Sequence, residues 1–438
     1  MRGNVELKEL VLLLLALLVI FSSISKTQPY RHYVSLVLGL LALILGLIMP
    51  DKALGYINFD VLGLIVGMSI MSVYMEISGL VDIVASALER RIKNVFTLYF
   101  LITLTAGVIS IALENVTVVL MIIPIVYALS SKFKIDPRPL AIGVALASNL
   151  SGSATMIGDP QAIITAGYFN IGFSDFIVYK GKPSMFFFTI AAMVASCFII
   201  SYIGSKRRIS SSNKIFRSEG STALVKDKVF ALETLGFLGL KIVLLTFRSL
   251  LNLTLTEVAI IAVTGLSITR LISGDKASVR EALIRGFEWK TVMFLLGVFI
   301  LSGAFAEQSL AKDVAYAIMS YAGSSLFTLT SALVWISVAV SAFIDNIPYI
   351  TVMLPVIEEI HVKLGVEAIT LAWALLLGAT LGGNLTYIGA SANVVAVRNL
   401  EEHGYRVSFL DFVKLSIPFN TISVVTGWIL YEILWVLT

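Results

Sequence analysis

The segment SNLSGSATMIGDP, residues 148–160, recurs in altered form as ATLGGNLTYIGAS, residues 379–391. Both copies lie within longer segments, 114–164 and 345–395, that align without a gap at a constant spacing of 231 residues. The shared residues are turn formers and polar groups within apolar stretches, as in the pairs Gly152 and Gly383, Thr155 and Thr386, and Gly158 and Gly389. An internal duplication interrupted at matching places is the best sequence-level indicator of a transporter binding site.

The composition is that of a polytopic membrane protein. Of the 438 residues, 58% are hydrophobic and 14% are charged, whereas a soluble domain has about 25% charged residues. The single cysteine, Cys197, lies in an apolar run, so the sequence offers neither a disulfide framework nor a cysteine metal site. The net charge of +4 comes from lysines and arginines in loops. We therefore expect the lipid bilayer, and no nucleic acid, as a partner.

Each half of the chain contains five apolar segments that can cross a bilayer, for which about 20 residues are needed. The predicted spans are 10–22, 33–49, 58–80, 140–169 and 184–204 in the first half, and 230–247, 255–272, 289–309, 368–395 and 411–436 in the second. The first is read as a span and not as a signal peptide, because no small-residue cleavage site follows it. Between the third and fourth span of each half lies a longer apolar stretch, 95–130 or 326–361, that is broken at its middle.

If both broken stretches are re-entrant hairpins, each half crosses the membrane five times and the second half is inverted. Lysines and arginines, which collect in cytoplasmic loops, favour this arrangement. Placing the polar linker 205–229 inside also places most other basic residues there, including Lys132, Arg31 and Arg398. The predicted fold is all-α: a first inverted repeat (1–204), a cytoplasmic linker, and a second repeat (230–438). Each repeat has five transmembrane helices plus one re-entrant hairpin, and the fourth and ninth helices are interrupted.

Two polar tips lie at the middle of the broken stretches. They read Leu113-Glu114-Asn115-Val116-Thr117 and Ile344-Asp345-Asn346-Ile347-Pro348. Backbone that turns inside a membrane is tolerated only where protein or a wet cavity satisfies its polar groups. Each asparagine is expected either to cap the following half-helix or to bind a cation through its carbonyl oxygen. The neighbouring acids favour a cation site, because an intramembrane carboxylate is costly and usually faces a pathway or a partner.

Glycine and hydroxyl residues interrupt the fourth and ninth spans. At this density they lower helix stability, so we expect two half-helices joined by unwound backbone in each span. The helix N-termini there attract anionic groups, and freed carbonyls with hydroxyls suit a hard cation such as sodium. Helix packing through small residues would explain the glycines. It would not explain the polar residues Asn149, Asp159, Asn384 and Asn393.

These motifs resemble the ion transporter superfamily. The acid-Asn tips, with GSATMIGDP and GGNLTYIGASANVV downstream, are most similar to the branch of arsenite permeases (ArsB), sodium–proton antiporters (NhaD) and the melanosomal P-protein. The resemblance covers nearly the whole chain and implies an inverted-repeat fold, a homodimer and elevator-like movement. Distantly similar divalent anion–sodium symporters carry Ser-Asn-Thr at the tips, where sodium and a substrate carboxylate bind. Acids at 114 and 345 replace those serines here, which argues against a dicarboxylate. The usual Pro-Pro-Asn after Gly-Asp reads Pro160-Gln161-Ala162.

The expected binding residues are the polar and glycine positions of the tips and the interrupted spans. They are Glu114, Asn115, Thr117, Asn149, Ser151, Gly152, Ser153, Thr155, Asp159, Asp345, Asn346, Gly383, Asn384, Thr386, Ser391 and Asn393. Sodium is expected at Asn115, Ser151 and Gly152 and at Asn346, Gly383 and Asn384, and no other cofactor is expected. No catalytic residue is predicted, since no Ser-His pair or metal-ligand grouping lies at a common depth.

The sequence therefore predicts a non-enzymatic, secondary active ion transporter of the plasma membrane, coupled to sodium or protons through the tip acids. Three substrates remain open. Sodium–proton exchange fits the paired acids. Efflux of arsenite or a related oxyanion fits the family resemblance, but no cysteine supplies a thiolate for a soft metalloid. Sodium-coupled uptake of an organic anion is the third, because neither site motif contains a basic residue.

Three further charges, Glu76, Glu307 and Lys241, fall within predicted spans. Each is interpreted as a snorkelling side chain or as one paired near a helix end. None is assigned to the binding site.

Overall fold

A computed structural model describes residues 2–24, 30–80, 91–206, 228–323 and 325–437. Almost all of the predicted linker, residues 207–227, lies outside this part, so its cytoplasmic position stays a prediction. The described helices of the first half are α1 Arg2–Ile24, α2 Arg31–Ile44, α3 Pro50–Tyr56, α4 Phe59–Ile77, α5 Val95–Ser110, α6 Asn115–Phe133, α7 Pro137–Ser151, α8 Pro160–Tyr168 and α9 Met185–Lys206. A short hairpin of strands β1 Val178–Tyr179 and β2 Lys182–Pro183 follows a 3₁₀ turn, Ser174–Phe176, before α9.

The second half has a matching succession of helices. They are α10 Lys228–Thr246, α11 Arg248–Leu251, α12 Leu255–Ile272, α13 Lys276–Gly286, α14 Trp289–Glu307, α15 Leu310–Ala322, α16 Leu326–Ser341, α17 Asn346–Leu364, α18 Ala368–Gly382, α19 Ser391–Glu402 and α20 Phe409–Tyr431. A π-helical turn, Glu432–Val436, extends α20.

The internal duplication is visible in the helix boundaries. Helices α16, α17 and α18 begin and end 231 residues after α5, α6 and α7, and α19 begins 231 residues after α8. Equivalent hydrogen bonds accompany them, because Thr155 Oγ1 donates to the Ile111 carbonyl and Thr386 Oγ1 to the Ala342 carbonyl, each at 2.5 Å. The two segments therefore share local structure as well as sequence. The orientation of each half in a membrane stays a prediction.

The interruptions predicted in the fourth and ninth spans are present. Helix α7 ends at Ser151 and α8 begins at Pro160, while α18 ends at Gly382 and α19 begins at Ser391. Proline at the first position of α8 needs no backbone donor there, and so suits a helix start. Helix α19 runs to Glu402, beyond the predicted end at 395.

Seven of the described helical stretches are long and apolar enough to span a membrane, or eight if the bent pair α15 and α16 counts as one span. The structure is thus a polytopic helical bundle, although fewer spans qualify than the ten predicted. The predicted span 33–49 is helical only to Ile44, because the chain turns at Gly46, which has a φ of +64°. Helices α3, α13 and α15 were not predicted, since they are short or carry several charges.

Small residues allow the backbones to approach closely where the tips and interruptions are held. A Cβ on Gly382 would lie 2.5 Å from the Cα and carbonyl oxygen of Val338, so α18 packs directly on α16. A Cβ on Gly297 would lie 2.2 Å from the Ser35 carbonyl oxygen, so α2 packs equally closely on α14. Such contacts are typical of helix packing within membranes.

The duplicated helices offer a direct test of inversion. Lys132 in α6 and Lys363 in α17 occupy equivalent positions and are exposed. On a Cys197→Ser background, which removes the one buried thiol, we expect Lys132→Cys to react with an impermeant maleimide only from the cytoplasm. Lys363→Cys should react only from outside. Labelling of both positions from the same face would exclude an inverted repeat.

Candidate ion and substrate site

The two tips and the two interruptions line one central cavity of about 310 Å³. Seven of the predicted site residues line it: Glu114, Asn115, Asn149, Asp159, Asp345, Asn346 and Ser391. The opposite wall is formed by residues of α2, α4 and α14, among them Arg31, Met68, Ser69 and Thr291. Members of both predicted groups, one from each half, therefore meet at one polar cavity.

The acids of the tips, and not the asparagines, occupy the helix-capping positions. Glu114 is the N-cap of α6 and Asp345 is the N-cap of α17, while Asn115 and Asn346 are the first helical residues. Asp345 Oδ1 accepts a hydrogen bond from the Ile347 backbone N–H at 3.1 Å. The expectation that the asparagines cap these helices is wrong. Asn115 bonds instead to Asn149 of the interrupted helix α7, and the Asn346 amide bonds to the Ser341 hydroxyl at the end of α16.

A chain of asparagine amides links the two halves. Asn115 Nδ2 donates to Asn149 Oδ1 at 3.1 Å, and Asn149 Nδ2 donates to Asn384 Oδ1 at 3.0 Å. Asn384 Nδ2 in turn donates to the Leu146 carbonyl at 2.9 Å, and Asn393 Nδ2 donates to the Gly383 carbonyl at 3.1 Å. All four side chains are buried. Because buried amides are costly to leave unpaired, this chain holds both interruptions in one arrangement.

Asp159 joins the first tip to the chain of amides. Its Oδ2 accepts hydrogen bonds at 3.1 Å from both Asn115 Nδ2 and Gln161 Nε2. Gln161 Nε2 also donates to Thr380 Oγ1 in the second half, at 2.9 Å. In the described ranges Asp159 has no cationic partner within ion-pair distance. Gln161 was not predicted as a site residue. It belongs to Pro160-Gln161-Ala162, the segment that replaces the usual Pro-Pro-Asn of the related transporters.

Backbone carbonyls converge at each interruption. A Cβ on Gly158 would lie 2.5 Å from the Gly152 carbonyl oxygen and 2.6 Å from that of Ser110. Gly389 has the equivalent surroundings, with the carbonyl oxygens of Ser341 and Gly383 at 2.5 and 2.8 Å from such a Cβ. Only glycine therefore fits between the tip and the interrupted span. Clustered carbonyl oxygens of this kind are the ligands that a hard cation prefers.

Two buried oxygen atoms near the interruptions lack hydrogen-bond partners within the described chain, Ser153 Oγ and Asn393 Oδ1. Unpaired buried polar atoms are uncommon and call for an explanation such as an ion or a water molecule. No three His, Cys, Asp or Glu side chains cluster in the described residues. A cation bound here would therefore rely on carbonyl, amide and hydroxyl oxygens.

Several predicted site residues lie behind the cavity wall and hold the backbone together. Ser151 Oγ donates to the Ala147 carbonyl at 2.9 Å, and Thr155 and Thr386 bond to the carbonyls of Ile111 and Ala342, two residues before each tip. Thr117 Oγ1 donates to Glu114 Oε2 at 3.1 Å. Gly152, Ser153, Gly383, Asn384 and Asn393 also fall outside the lining residues.

Two arginines and a further acid at the cavity were missed from the sequence. Arg31 is the first residue of α2, Arg398 lies within α19, and Glu288 is the N-cap of α14. All three line the cavity, so the interpretation of the two arginines as loop charges is wrong. Arg398 could have been predicted, because Ser391, Val395 and Arg398 are spaced to lie on the same face of a helix. Arg31 carries no such signal, because it reaches Asp345 only through the tertiary fold.

Of the three other charges, two are paired as expected. Arg285 Nη2 lies 2.8 Å from Glu76 Oε1, and Lys52 pairs with Glu307. Lys241 is different, because its side chain is completely buried and its Nζ lies 2.7 Å from Met68 Sδ. The expectation that Lys241 snorkels or is paired near a helix end is therefore wrong: it has no acidic partner among the described residues.

We expect Lys241→Met to raise the free energy of unfolding by roughly 1–3 kcal/mol, because it removes a buried amine with no acidic partner and conserves volume. The melting temperature of the purified protein in detergent measures this change. Lys228→Met, at the exposed start of the same helix, is the control and should leave the melting temperature unchanged. A lower melting temperature for Lys241→Met would contradict this account.

A polytopic helical bundle, with two polar tips and two interrupted helices around one cavity, defines a membrane transporter. The chain belongs to the citrate transporter family, whose model matches residues 16–378. It is therefore a permease and not an enzyme.

Named relatives agree with this assignment, and a solved structure shares the fold. An uncharacterized transporter of Mycobacterium tuberculosis is 28% identical over 86% of this chain and 87% of its own length. The human P protein is 26% identical over 98% of this chain and 60% of its own length, which confirms the resemblance to the superfamily that contains it. The crystal structure of the YdaH transporter of Alcanivorax borkumensis matches 97% of this chain and 98% of that chain, with a TM-score of 0.55 and 14% identity. That likeness supports the fold.

Proposed function

We propose that this protein is a secondary active transporter that moves a small carboxylate-bearing anion together with a sodium ion or a proton. The observation that carries the proposal is the single cavity in which two guanidinium groups meet four carboxyl groups. The lining residues concerned are Arg31, Arg398, Glu114, Asp159, Glu288 and Asp345. Membership of the citrate transporter family supports an anionic substrate. An organic anion is therefore favoured over sodium–proton exchange, because the cavity contains basic groups that the two sequence motifs lack.

Arg398 is the group best placed to bind the anion. It lines the cavity, and its side chain makes no hydrogen bond or ion pair with another residue of the described chain. A guanidinium group offers two parallel N–H donors to a carboxylate, which gives both affinity and orientation. Arg398 therefore remains available for a ligand, whereas Arg31 is already paired with Asp345.

The coupling cation is proposed to bind at the tips and the interruptions. Sodium would be held by Asn115 and the Gly152 carbonyl near Ser151 in the first half, and by Asn346, Gly383 and Asn384 in the second. The converging carbonyls at Gly158 and Gly389 and the unpaired oxygens described above support these positions. A proton is the alternative cation, taken up by a tip carboxylate.

Elevator-like movement and a homodimer are part of the proposal. The tips and interrupted helices would form the moving unit, and the amide chain supports this because it ties the interruptions of both halves together. Helices α2, α4 and α14 would form the stationary wall. Placement in the plasma membrane, with the linker in the cytoplasm, belongs to the same proposal.

Sodium–proton exchange is the second candidate. It is favoured by the excess of acids over basic groups at the cavity, four against two. In this case the carboxyl groups would exchange protons for sodium without an anion.

Reconstitution into liposomes tests these functions. Under an inward sodium or proton gradient, we expect labelled citrate, used as the probe, to accumulate above its external concentration. Arg398→Gln should reduce this uptake by at least about tenfold, the loss expected for about 1.4 kcal/mol of binding energy. Arg280→Gln, an exposed arginine on α13 outside the cavity, is the matched control.

Two other results of the liposome experiment would indicate a different function. Sodium-driven proton movement, recorded with an entrapped pH-sensitive dye and without citrate uptake, would replace the proposal by sodium–proton exchange. Citrate flux that never exceeds equilibrium and does not saturate would indicate a channel.

A further inference from the structure

The two tips are equivalent in sequence but differ in their ionic partners. Glu114 accepts a hydrogen bond from the Thr117 hydroxyl and forms no ion pair with any residue in the described ranges. Asp345, at the equivalent position, pairs with Arg31, whose Nη1 lies 2.7 Å from Asp345 Oδ2. Arg31 lies outside the duplicated segments, so the duplication itself did not create this pair. The second tip therefore has a feature that the first lacks.

Arg31 is held at the cavity by three separate elements. Its Nη1 donates to Asp345 at the tip and to Ser391 Oγ at the start of α19, the latter at 3.3 Å. Its guanidinium carbon lies 4.9 Å from the ring centroid of Phe294 on α14. The Arg31 side chain is 21% exposed and that of Asp345 is 8% exposed, and both line the cavity. The pair is thus largely removed from solvent yet open to a ligand in the cavity.

Separating such a pair is unfavourable when only one partner finds a replacement. The other then remains as an uncompensated charge in a poorly solvated place. An anion alone could bind Arg31 only by stripping Asp345 of its counter-charge. A cation alone could bind Asp345 only by leaving Arg31 unpaired. An anion and a cation that bind together compensate both groups.

We propose that the Arg31–Asp345 ion pair couples substrate to cation by exchange: the substrate carboxylate takes over Arg31 while a monovalent cation takes over Asp345. The internal pair is then replaced by two pairs with ligands. Each ligand therefore increases the affinity for the other, which is the reciprocity that linkage requires. This inference rests on the proposed function and adds to it the residues that make the two ligands dependent on each other.

The cation is a sodium ion or a proton, and titrating each one separately distinguishes them. The other charged groups that line the cavity around the pair are Glu114, Asp159, Glu288 and Arg398. Citrate binding measured at increasing sodium concentration and fixed pH tests for sodium. Citrate binding measured over a range of pH in choline chloride tests for a proton. The same pH range is repeated with Glu114→Gln, which lacks the tip carboxyl group that has no basic partner.

The decisive variant is Asp345→Asn, which should gain the ability to bind citrate tightly without the cation. Asparagine caps a helix as well as aspartate does, so the tip is kept while Arg31 is released from its partner. Citrate binding to the purified protein is measured by calorimetry with and without sodium chloride, using choline chloride to hold the ionic strength. We expect sodium, or in its place a lower pH, to tighten citrate binding to the wild type at least tenfold. Asp345→Asn should bind citrate without that cation at least tenfold more tightly than the wild type does, and should respond little to it.

Three further measurements complete the experiment. Arg31→Gln should lose citrate affinity with and without the cation, and the double variant should show no dependence of one ligand on the other. Melting temperatures confirm that each variant is folded. Suppose that Asp345→Asn is folded but, in the absence of the cation, binds citrate no more tightly than the wild type does. The exchange is then refuted. If the wild type binds no citrate at all, the proposed function fails and the exchange fails with it. A wild type that binds citrate equally well with and without the cation would refute the exchange alone.

Discussion

Replacing Gly158 or Gly389 by alanine is expected to reduce transport by about ten- to a hundredfold, which corresponds to roughly 1.4–2.8 kcal/mol. A Cβ at Gly158 would meet two carbonyl oxygens at 2.5 and 2.6 Å, and one at Gly389 would meet the equivalent pair at 2.5 and 2.8 Å. These atoms belong to the backbone, so no side-chain rotation relieves the overlap. The tip must then move away from the interrupted span, and the proposed cation ligands separate.

The matched control is Gly239→Ala on α10. A Cβ there meets nothing within 4 Å, so alanine should be tolerated and should stabilise the helix slightly, by about 0.5–1 kcal/mol. Citrate uptake in liposomes and the half-saturating sodium concentration are measured for all three variants. Unchanged sodium dependence in both Gly158→Ala and Gly389→Ala would mean that the converging carbonyls have only a packing role.

The duplicated core was predictable because its signals are local. Glycines, prolines and polar residues within apolar runs determine where α7 and α18 end and where α8 and α19 begin. The acids at positions 114 and 345 likewise indicate the tips, because each is a polar residue within an apolar run. Such residues act through backbone conformation and helix capping, which depend on a few neighbours along the chain.

The composition of the cavity was less predictable because it depends on distant contacts. Arg31 is more than 300 residues away from Asp345 along the chain, and Glu288 reaches the cavity only because α14 packs on α2. The length of the span 33–49 was also overestimated, since hydropathy alone does not show the turn at Gly46. The two arginines proposed to bind the anion could therefore be assigned to the cavity only from the three-dimensional structure.

Comparison of the repeats shows how the two halves have diverged at the cavity. Asp159 corresponds to Ala390, Gln161 to Ala392 and Arg398 to Gly167. The first half thus contributes an additional acid and amide, and the second contributes the arginine. Although the backbones are equivalent, Arg398 lies in the second repeat and the additional acceptor oxygens of Asp159 and Gln161 lie in the first. This division favours one shared site for an anion and a cation over two identical ion sites.

Glu114 is the tip acid with no basic partner in the described chain. Glutamine keeps its shape and its hydrogen bond from Thr117, so Glu114→Gln should fold and reach the membrane. It removes the negative charge that the coupling cation would meet. Because a contact between two charges is worth about 4 kcal/mol at an effective dielectric constant near 20, we expect cation-coupled uptake to fall by at least about a hundredfold.

The control for this variant is Glu76→Gln, which removes an acid of α4 that is paired with Arg285 and lies outside the cavity. Because exposed ion pairs contribute little, its uptake should equal that of the wild type. Initial rates of citrate uptake are measured against sodium concentration and against pH, beside melting temperatures. If Glu114→Gln retains both the rate and the cation dependence of the wild type, the Glu114 carboxylate is not a coupling group. The cation would then bind at Asp345 or at the converging carbonyls without Glu114, and the loss expected for Gly158→Ala would persist in the Glu114→Gln background.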